Sequence, residues 1–308
     1  MKAIYLERKA GAEALVAGDI PRPAPKANEV LVKVRATSVM PTELQWMPTF
    51  QTRSGAPRPF PIVMSHEFSG VVESLGQEAK GFGIGDEVFG INDWFTNGAQ
   101  AEHCVVAATA LSAKPKSLNF AASAVVPISA LTAWQGLFEK AKLAIGQRVL
   151  IHGASGGVGS FAVQLARSAG AHVLATASPG NQDFVRELGA HEVIDYRKTR
   201  FEEMVREVDV VFDGVGGDTL ERSWGLLKPG GVLVTYATQS ETATRRARDA
   251  FMLVRADGSQ LSEIARLIDA GKLKAIVAAT FPLAQAREAY ALAQQGGNRG
   301  KIALRVSD

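Results

Sequence analysis

The chain has 308 residues, room for two domains at ~150 residues each, with a core in both. Hydrophobic residues make up 46% and charged ones 21%, which excludes disordered and collagen-like classes, and no run of ~18 apolar residues is present to cross a membrane. Lys and Arg number 34 against 31 acidic residues, an excess too small to argue for a nucleic acid or a membrane surface as partner. The one basic cluster, Arg245, Arg246 and Arg248, reads as a solvated helix face. Cys104 stands alone, so neither an internal disulfide nor a multi-cysteine zinc lobe is available. With a first segment that lacks the long apolar stretch of a signal peptide, this predicts a cytoplasmic protein.

Met1 to Glu7 reads as a strand, and Pro21-Arg22-Pro23-Ala24-Pro25 as a stiff extended connector. Short β-branched runs follow at Glu29 to Val34, Gly70 to Glu73 and Asp86 to Phe89, broken by Gly and Pro, which predicts an all-β barrel or sandwich. From about 145 the rhythm becomes strand, helix, strand. Arg148 to Ile151 is a short apolar strand, and Val158, Phe161, Ala162, Leu165, Ala166 and Ala169 then fall at helical spacing up to a C-capping Gly170. Further strands are predicted at Ala171 to Ala175, Glu192 to Ile194, Val208 to Phe212 and Val232 to Thr235, with helices over 182–188 and 218–227. This alternation predicts a doubly wound parallel sheet. A last strand is predicted at Phe251 to Val254, then a helix from near Ser259. The strand-like pieces Lys274 to Ala278 and Lys301 to Val306 are expected to rejoin the first domain.

The strongest local signal is His152-Gly153-Ala154-Ser155-Gly156-Gly157-Val158-Gly159, placed between an apolar strand and an amphipathic helix. Small residues let the backbone approach a pyrophosphate, and the helix N-terminus turns free N–H groups and a positive dipole end toward it. A generic tight strand-to-helix turn is the plainer alternative. At the end of the second strand an NAD site usually places a carboxylate for the ribose hydroxyls. Here Ala175-Thr176-Ala177-Ser178-Pro179-Gly180-Asn181 offers none before Asp183. A 2′-phosphate would meet Ser178 and backbone N–H groups without repulsion, and Tyr196, Arg197 and Lys198 are near candidates to add a donor or charge. The pattern favours NADPH over NADH, against an exposed loop with incidental charges.

These residues, together with Pro61 to Val72, Gly85-Asp86-Glu87-Val88, Phe212 to Gly217 and Gly300 to Leu304, resemble the medium-chain dehydrogenase/reductase superfamily, in particular its zinc-independent quinone oxidoreductase branch. The resemblance spans nearly the whole chain. It implies an α/β fold with a GroES-like β-rich catalytic domain over residues 1–120 plus 268–308. A Rossmann dinucleotide-binding domain would span residues 121–267, with the cofactor between the two. It also implies a homodimer in which edge strands near Phe251 to Val254 pair across a twofold axis; an unpaired apolar edge is otherwise a liability.

Zinc-dependent members hold the metal with a Cys, the His of a Gly-His-Glu motif, and a third Cys or Asp. Here the first position falls on Met40 and the third at Ile128 or its neighbour, leaving His66 and Glu67. That set is short of the three protein ligands a catalytic zinc needs, so no metal is expected. Without a Lewis acid, alcohol oxidation lacks a driving group, whereas a quinone or an α,β-unsaturated carbonyl is already electrophilic. Such a substrate needs a positioned hydride donor and a modest hydrogen-bond donor.

Candidate catalytic residues are Thr42, Glu43, His66 and Tyr236. His66 could donate a proton or orient a water, or be a structural remnant; Glu43 could shape the site or orient the domains through a salt bridge. Trp46 and Trp94 could line a pocket for a planar substrate or belong to the core. Met40 and Glu43 stand where relatives often carry Asn and Asp. For the NADPH cofactor the resemblance assigns Ala154, Ser155, Gly156, Gly157 and Val158 to the pyrophosphate loop, and Ser178 and Tyr196 to the ribose phosphate. Thr176 and Asn181 belong to the same strand end, Asn181 where some relatives use Lys, with Lys301 a possible compensation. Gly214 and Val215 face the nicotinamide ribose, while Thr132, Tyr236, Phe251 and Leu253 lie near the nicotinamide. The leading expectation is an NADPH-dependent reductase of quinones or enones acting on a small electrophile. An enoyl-thioester reductase and a non-catalytic NADPH-binding sensor or scaffold are the alternatives.

Overall fold

Alternation at a period of two builds the first part of the chain. The computed structural model describes residues 1–237 and 244–307. It opens with β1 (Lys2–Leu6), β2 (Leu15–Asp19), β3 (Glu29–Ser38), β4 (Ile62–Val63), β5 (Glu67–Leu75), β6 (Glu87–Ile91), β7 (His103–Ala107) and β8 (Leu111–Ala113). Strand β3 is the spine. Its Val30, Val32 and Val34 are fully buried with Phe68, Val72 and Val88, and it pairs antiparallel with both β5 and β7. A smaller antiparallel sheet has the order β2-β1-β4.

The helices Phe120–Ala124 and Pro127–Trp134 lead out of this β region, the first capped by Asn119, whose Oδ1 accepts the Ala122 N–H at 2.9 Å. There follow β9 (Arg148–Ile151), β10 (His172–Ala177), β11 (Glu192–Asp195), β12 (Val208–Asp213) and β13 (Leu227–Thr235). They form a five-stranded sheet in the order β11-β10-β9-β12-β13, every pair parallel. The central strand β9 has Val149, Leu150 and Ile151 fully buried, because helices cover both faces of the sheet. The connections leave β9 in opposite directions, so a crevice opens at the strand C-termini beside it.

The chain then returns. β14 (Val277–Pro282) and β15 (Lys301–Arg305) extend the first large sheet, giving the order β14-β15-β3-β5-β6-β8 with β7 also on β3. One buried carboxylate joins this return to the rest. Glu67 Oε1 accepts from Ser38 Oγ of β3 at 2.5 Å and is ion-paired with Lys301 Nζ of β15. Its Oε2 accepts the Ile128 N–H at 2.7 Å, in the first turn of the helix Pro127–Trp134, where the helix dipole favours negative charge.

Three expected elements differ. Phe251 to Val254 is not a strand: Phe251 makes a single bridge to Thr235, and the backbone beyond is taken by side chains. Trp94 Nε1 donates to Val254 O, while the Gln135 amide both accepts from Arg255 N at 3.1 Å and donates to Arg255 O at 2.9 Å. Among the described residues the last strand of the parallel sheet is therefore β13. The tail strand starts at Val277 rather than Lys274, because the Gln164 amide holds both backbone groups of Lys274. The helix expected over 218–227 stops at Ser223 and tightens into a 3₁₀ turn, Trp224–Leu226. The arginine cluster does lie on a solvated helix, Arg245–Ala250, with Arg246 paired to Glu221.

Replacing Glu67 strands a mostly buried cation and an open helix N–H. Glu67→Ala is expected to cost about 3 kcal/mol of stability in urea unfolding, with Glu67→Gln losing less because it still accepts hydrogen bonds.

Candidate active site

The crevice at the end of β9 is a cleft of about 890 Å³ between the two large sheets. The glycine loop forms one end. Gly153 has φ +71, a left-handed conformation that a side chain disfavours. A Cβ on Gly159 would collide with the Gly153 carbonyl, so the first turn of the helix Gly157–Ser168 packs tightly on the loop. Gly156 is the N-cap and provides no side-chain cap, leaving the N–H groups of the first turn for a ligand. The loop is stitched to the returning chain: Gly300 N donates to Ser155 O at 2.8 Å, and Gly156 and Gly300 form a bridge.

The opposite wall comes from the β region. Met40, Thr42, Trp46, Met47 and Pro48 line it, facing Ile128 and Thr132 and the stretch Phe251 to Val254. Lys301 is the one charged side chain among the described lining residues, and its ammonium is held by Glu67. Asp213, fully buried, shapes the loop after β12: it accepts from Val215 N at 3.0 Å, from Gly216 N, and from Thr235 Oγ1 at 2.8 Å. Tyr236 packs over Gly214, where any Cβ would strike its hydroxyl. Burial and the Asp213 charge push the Tyr236 phenol well above its ordinary value, so it stays a neutral O–H donor at neutral pH.

Thr42, Thr132, Tyr236, Ser155, Gly156, Gly157, Val158, Gly214, Phe251, Leu253 and Lys301 all line the cleft. Glu43 and His66 do not. Both are buried beneath the wall, and both are fully used. The Glu43 carboxylate accepts the N–H groups of Ser65 at 2.6 Å and His66 at 3.2 Å, and lies 3.2 Å from His66 Nδ1. His66 Nε2 lies 3.2 Å from Thr96 O. The expected role of Glu43 in a domain-orienting salt bridge is likewise replaced by this local pairing. Trp94 sits behind the lining, between Trp46 at 5.2 Å and His66 at 5.1 Å. At the third metal position Ile128 offers only its N–H, already given to Glu67.

The adenosine-end residues divide. Ala154 and Thr176 are buried away from the cleft; Thr176 Oγ1 is 3.0 Å from His152 Nδ1, and His152 Nε2 is 3.0 Å from Ser223 Oγ. Ser178 and Tyr196 follow the paired ends of β10 and β11, where Ala177 faces Asp195, so they are neighbours at the sheet end. Val215 is exposed beside Gly153. Asn181 is buried and braces the loop, its Nδ2 donating to Ser155 Oγ and Gly297 O, both at 3.2 Å. Two residues went unread in the sequence. Asp213 has a role visible only in the turn it closes, and Arg299 stands directly before Gly300-Lys301 and donates to Asn181 Oδ1 at 3.0 Å.

These features fit a nicotinamide dinucleotide: uncapped N–H groups at a Gly-rich helix start, room where side chains are missing, and a long apolar cleft beyond. Residues 26–116 match the alcohol dehydrogenase GroES-like domain family, and residues 188–304 match a family described as zinc-binding dehydrogenase. The chain is 33% identical to a probable mitochondrial zinc-binding oxidoreductase of Arthroderma benhamiae, over 93% of this chain and 91% of that protein. It is 34% identical to the mitochondrial NAD(P)H oxidoreductase RTN4IP1 of Mus musculus, over 91% of this chain and 82% of that one. Among solved structures, the quinone oxidoreductase of Coxiella burnetii superposes with a TM-score of 0.91 at 30% identity, covering 100% and 99% of the two chains.

Gly157→Asp puts a carboxylate at the helix start, against Ser129 and the Lys301 stem. Binding of the reduced nicotinamide cofactor, read by fluorescence titration, is expected to weaken at least ~100-fold by charge repulsion and blockage, with the β region still folded by circular dichroism. His152 is held neutral: burial pulls its pKa from 6.5 down to about 4. The unfolded chain therefore takes up the proton first as pH falls. Stability should be constant above about pH 6.5 and drop by roughly 2–3 kcal/mol at pH 4.5 relative to a His152→Gln variant, measured by urea unfolding at both pH values.

Proposed function

The chain belongs to the quinone oxidoreductase branch of the medium-chain dehydrogenase/reductase superfamily, and from that premise we propose that this oxidoreductase is a zinc-free, NADPH-dependent reductase of quinones or α,β-unsaturated carbonyls. The observation that carries the reading is the cleft itself, with the glycine loop and the neutralised Lys301 beside it at one end and an apolar wall at the other. When bound, the cofactor supplies the hydride. The protein's own residues hold and orient an acceptor and exclude water. Met40, Trp46, Met47 and Leu253 offer flat and adaptable apolar surface to a planar molecule. Thr42 and Tyr236 bring hydroxyl groups to the same cleft, and the high-pKa phenol donates a hydrogen bond without giving up its proton.

Zinc independence is supported by the donor set. Met40 offers a thioether, His66 has both ring nitrogens engaged, and Ile128 contributes no ligand side chain. Among the described residues no group of three His, Cys, Asp or Glu could hold a metal. A neutral acceptor is favoured over an enoyl thioester on a phosphorylated carrier, since no free cation lines the acceptor wall among the described residues. NADPH is favoured because the end of β10 presents Ser178 beside Tyr196, while the first carboxylate, Asp183, is paired with Arg186 at 2.7 Å.

Loss of NADPH absorbance should be followed with quinones, 2-alkenals and cyclic enones, in the presence of a zinc chelator and with NADH in parallel. Turnover of at least one neutral acceptor, undiminished by the chelator, is expected. Tight NADPH binding with no turnover of any acceptor would instead assign a non-catalytic cofactor-binding role, and loss of turnover on chelation would refute the zinc-free reading.

A further inference from the structure

Trp94 sits behind the lining of the cleft and touches both of its walls. Its Nε1 donates to Val254 O at 3.3 Å, 160 residues further along the chain. Val254 closes the lining stretch Phe251 to Val254, which single bonds hold in place of a neighbouring strand. Phe251 O accepts from Lys140 Nζ at 2.6 Å, and Met252 N donates to Thr235 O at 2.9 Å. Among the described residues, Trp94 is the one hydrogen-bond donor that reaches this stretch from the β region. An indole N–H taken out of water needs an acceptor, and here the acceptor belongs to the opposite wall. The ring itself packs edge-on against Trp46 of the near wall, with centroids 5.2 Å apart and planes at 70°. The turn that presents Trp94 is tied within itself. Asp93 Oδ1 accepts the Phe95 N–H at 3.0 Å, Asp93 Oδ2 pairs with Arg53 at 2.6 Å, and Asn92 Nδ2 donates to Asn97 O at 2.9 Å.

Resting on the reductase reading above, we propose that Trp94 is a positioning residue that sets the spacing of the two cleft walls: its N–H latches the backbone of Val254, and its ring holds Trp46. It touches neither cofactor nor acceptor and acts through these two neighbours. Transfer between two bound molecules falls steeply when the reacting atoms are misplaced, and a change well away from them can cost one to two orders of magnitude in rate. The two halves of the side chain act on different quantities. The N–H fixes the wall against which the transfer distance is set, and the ring fixes the apolar surface that a planar acceptor meets.

Trp94→Phe removes the N–H and keeps a ring beside Trp46; Trp94→Leu removes both. Hydrogen–deuterium exchange of the cofactor-free proteins reads the latch alone. Exchange over residues 251–256 is expected to quicken about 2- to 10-fold in both variants, the range of one neutral hydrogen bond, with β9 and the helix Gly157–Ser168 unchanged. Stopped-flow single turnovers of NADPH then read the walls, with whichever of 1,4-naphthoquinone, trans-2-hexenal and 2-cyclohexenone the wild-type protein reduces fastest. Trp94→Phe is expected to slow the transfer step about 10-fold at full amplitude, with the acceptor KM within about twofold of wild type. Trp94→Leu should in addition raise that KM about 5-fold, the range of one aromatic pair. Unchanged exchange over 251–256 overturns the latch. Faster exchange with an undiminished transfer rate, or a lower amplitude at the wild-type rate, overturns the positioning role, because Trp94 would then serve stability alone. A wild-type protein that oxidises NADPH with none of the three acceptors refutes the reductase reading and the role in transfer with it, while the exchange result still decides the latch.

Discussion

A buried carboxylate next to a histidine usually raises the question of a metal. In this chain Glu67 answers to three other partners: the Ser38 hydroxyl, the Ile128 N–H and the Lys301 ammonium. Each belongs to a different element, β3, the helix Pro127–Trp134 and β15, so one side chain joins the first sheet, the entry to the parallel sheet and the returning tail. Burying a charge is costly unless it is paired and fully hydrogen-bonded, and the positions of the three elements are those that satisfy it. The glycine loop depends on the same arrangement, since the Lys301 stem and Gly300 pack directly against it.

The two ends of the cleft differ in kind for a reason that follows from this. At the loop end, backbone N–H groups and a helix dipole supply diffuse positive potential, and Arg299 adds a fixed charge further out. At the other end the polar side chains of Glu43 and His66 are turned inward, beneath the wall. Glu43 and His66 satisfy each other and nearby backbone, and their pairing supports Trp94 and, through it, Trp46. The wall is left apolar. Its lining there offers flat apolar surface and no free charge among the described residues.

Much of the frame could be read from local pattern. The glycine spacing between an apolar strand and an amphipathic helix placed the loop, the alternation after residue 145 placed the parallel sheet, and the strand-like tail placed the return to the first sheet. The pattern misled where side chains intervene on backbone. Phe251 to Val254 has the composition of a strand, yet Trp94 and Gln135 take hydrogen bonds that a neighbouring strand would need. Lys274 is diverted in the same way by Gln164. His66 and Glu43 carry chemistry by type, and only their mutual pairing beneath the wall shows that this chemistry is spent internally.

By itself, then, the sequence determined the class of fold, the nucleotide loop and the shortage of zinc ligands, because these rest on periodicity, on residues that only small side chains can replace, and on residue identity. Tertiary structure decided which of the candidate groups face the cleft. Arg299 lies 118 residues from Asn181, and Lys301 lies 234 residues from Glu67. No local spacing encodes such contacts. They exist because the chain crosses back to its first sheet, and that crossing brings Arg299 beside Asn181 and pairs Lys301 with Glu67.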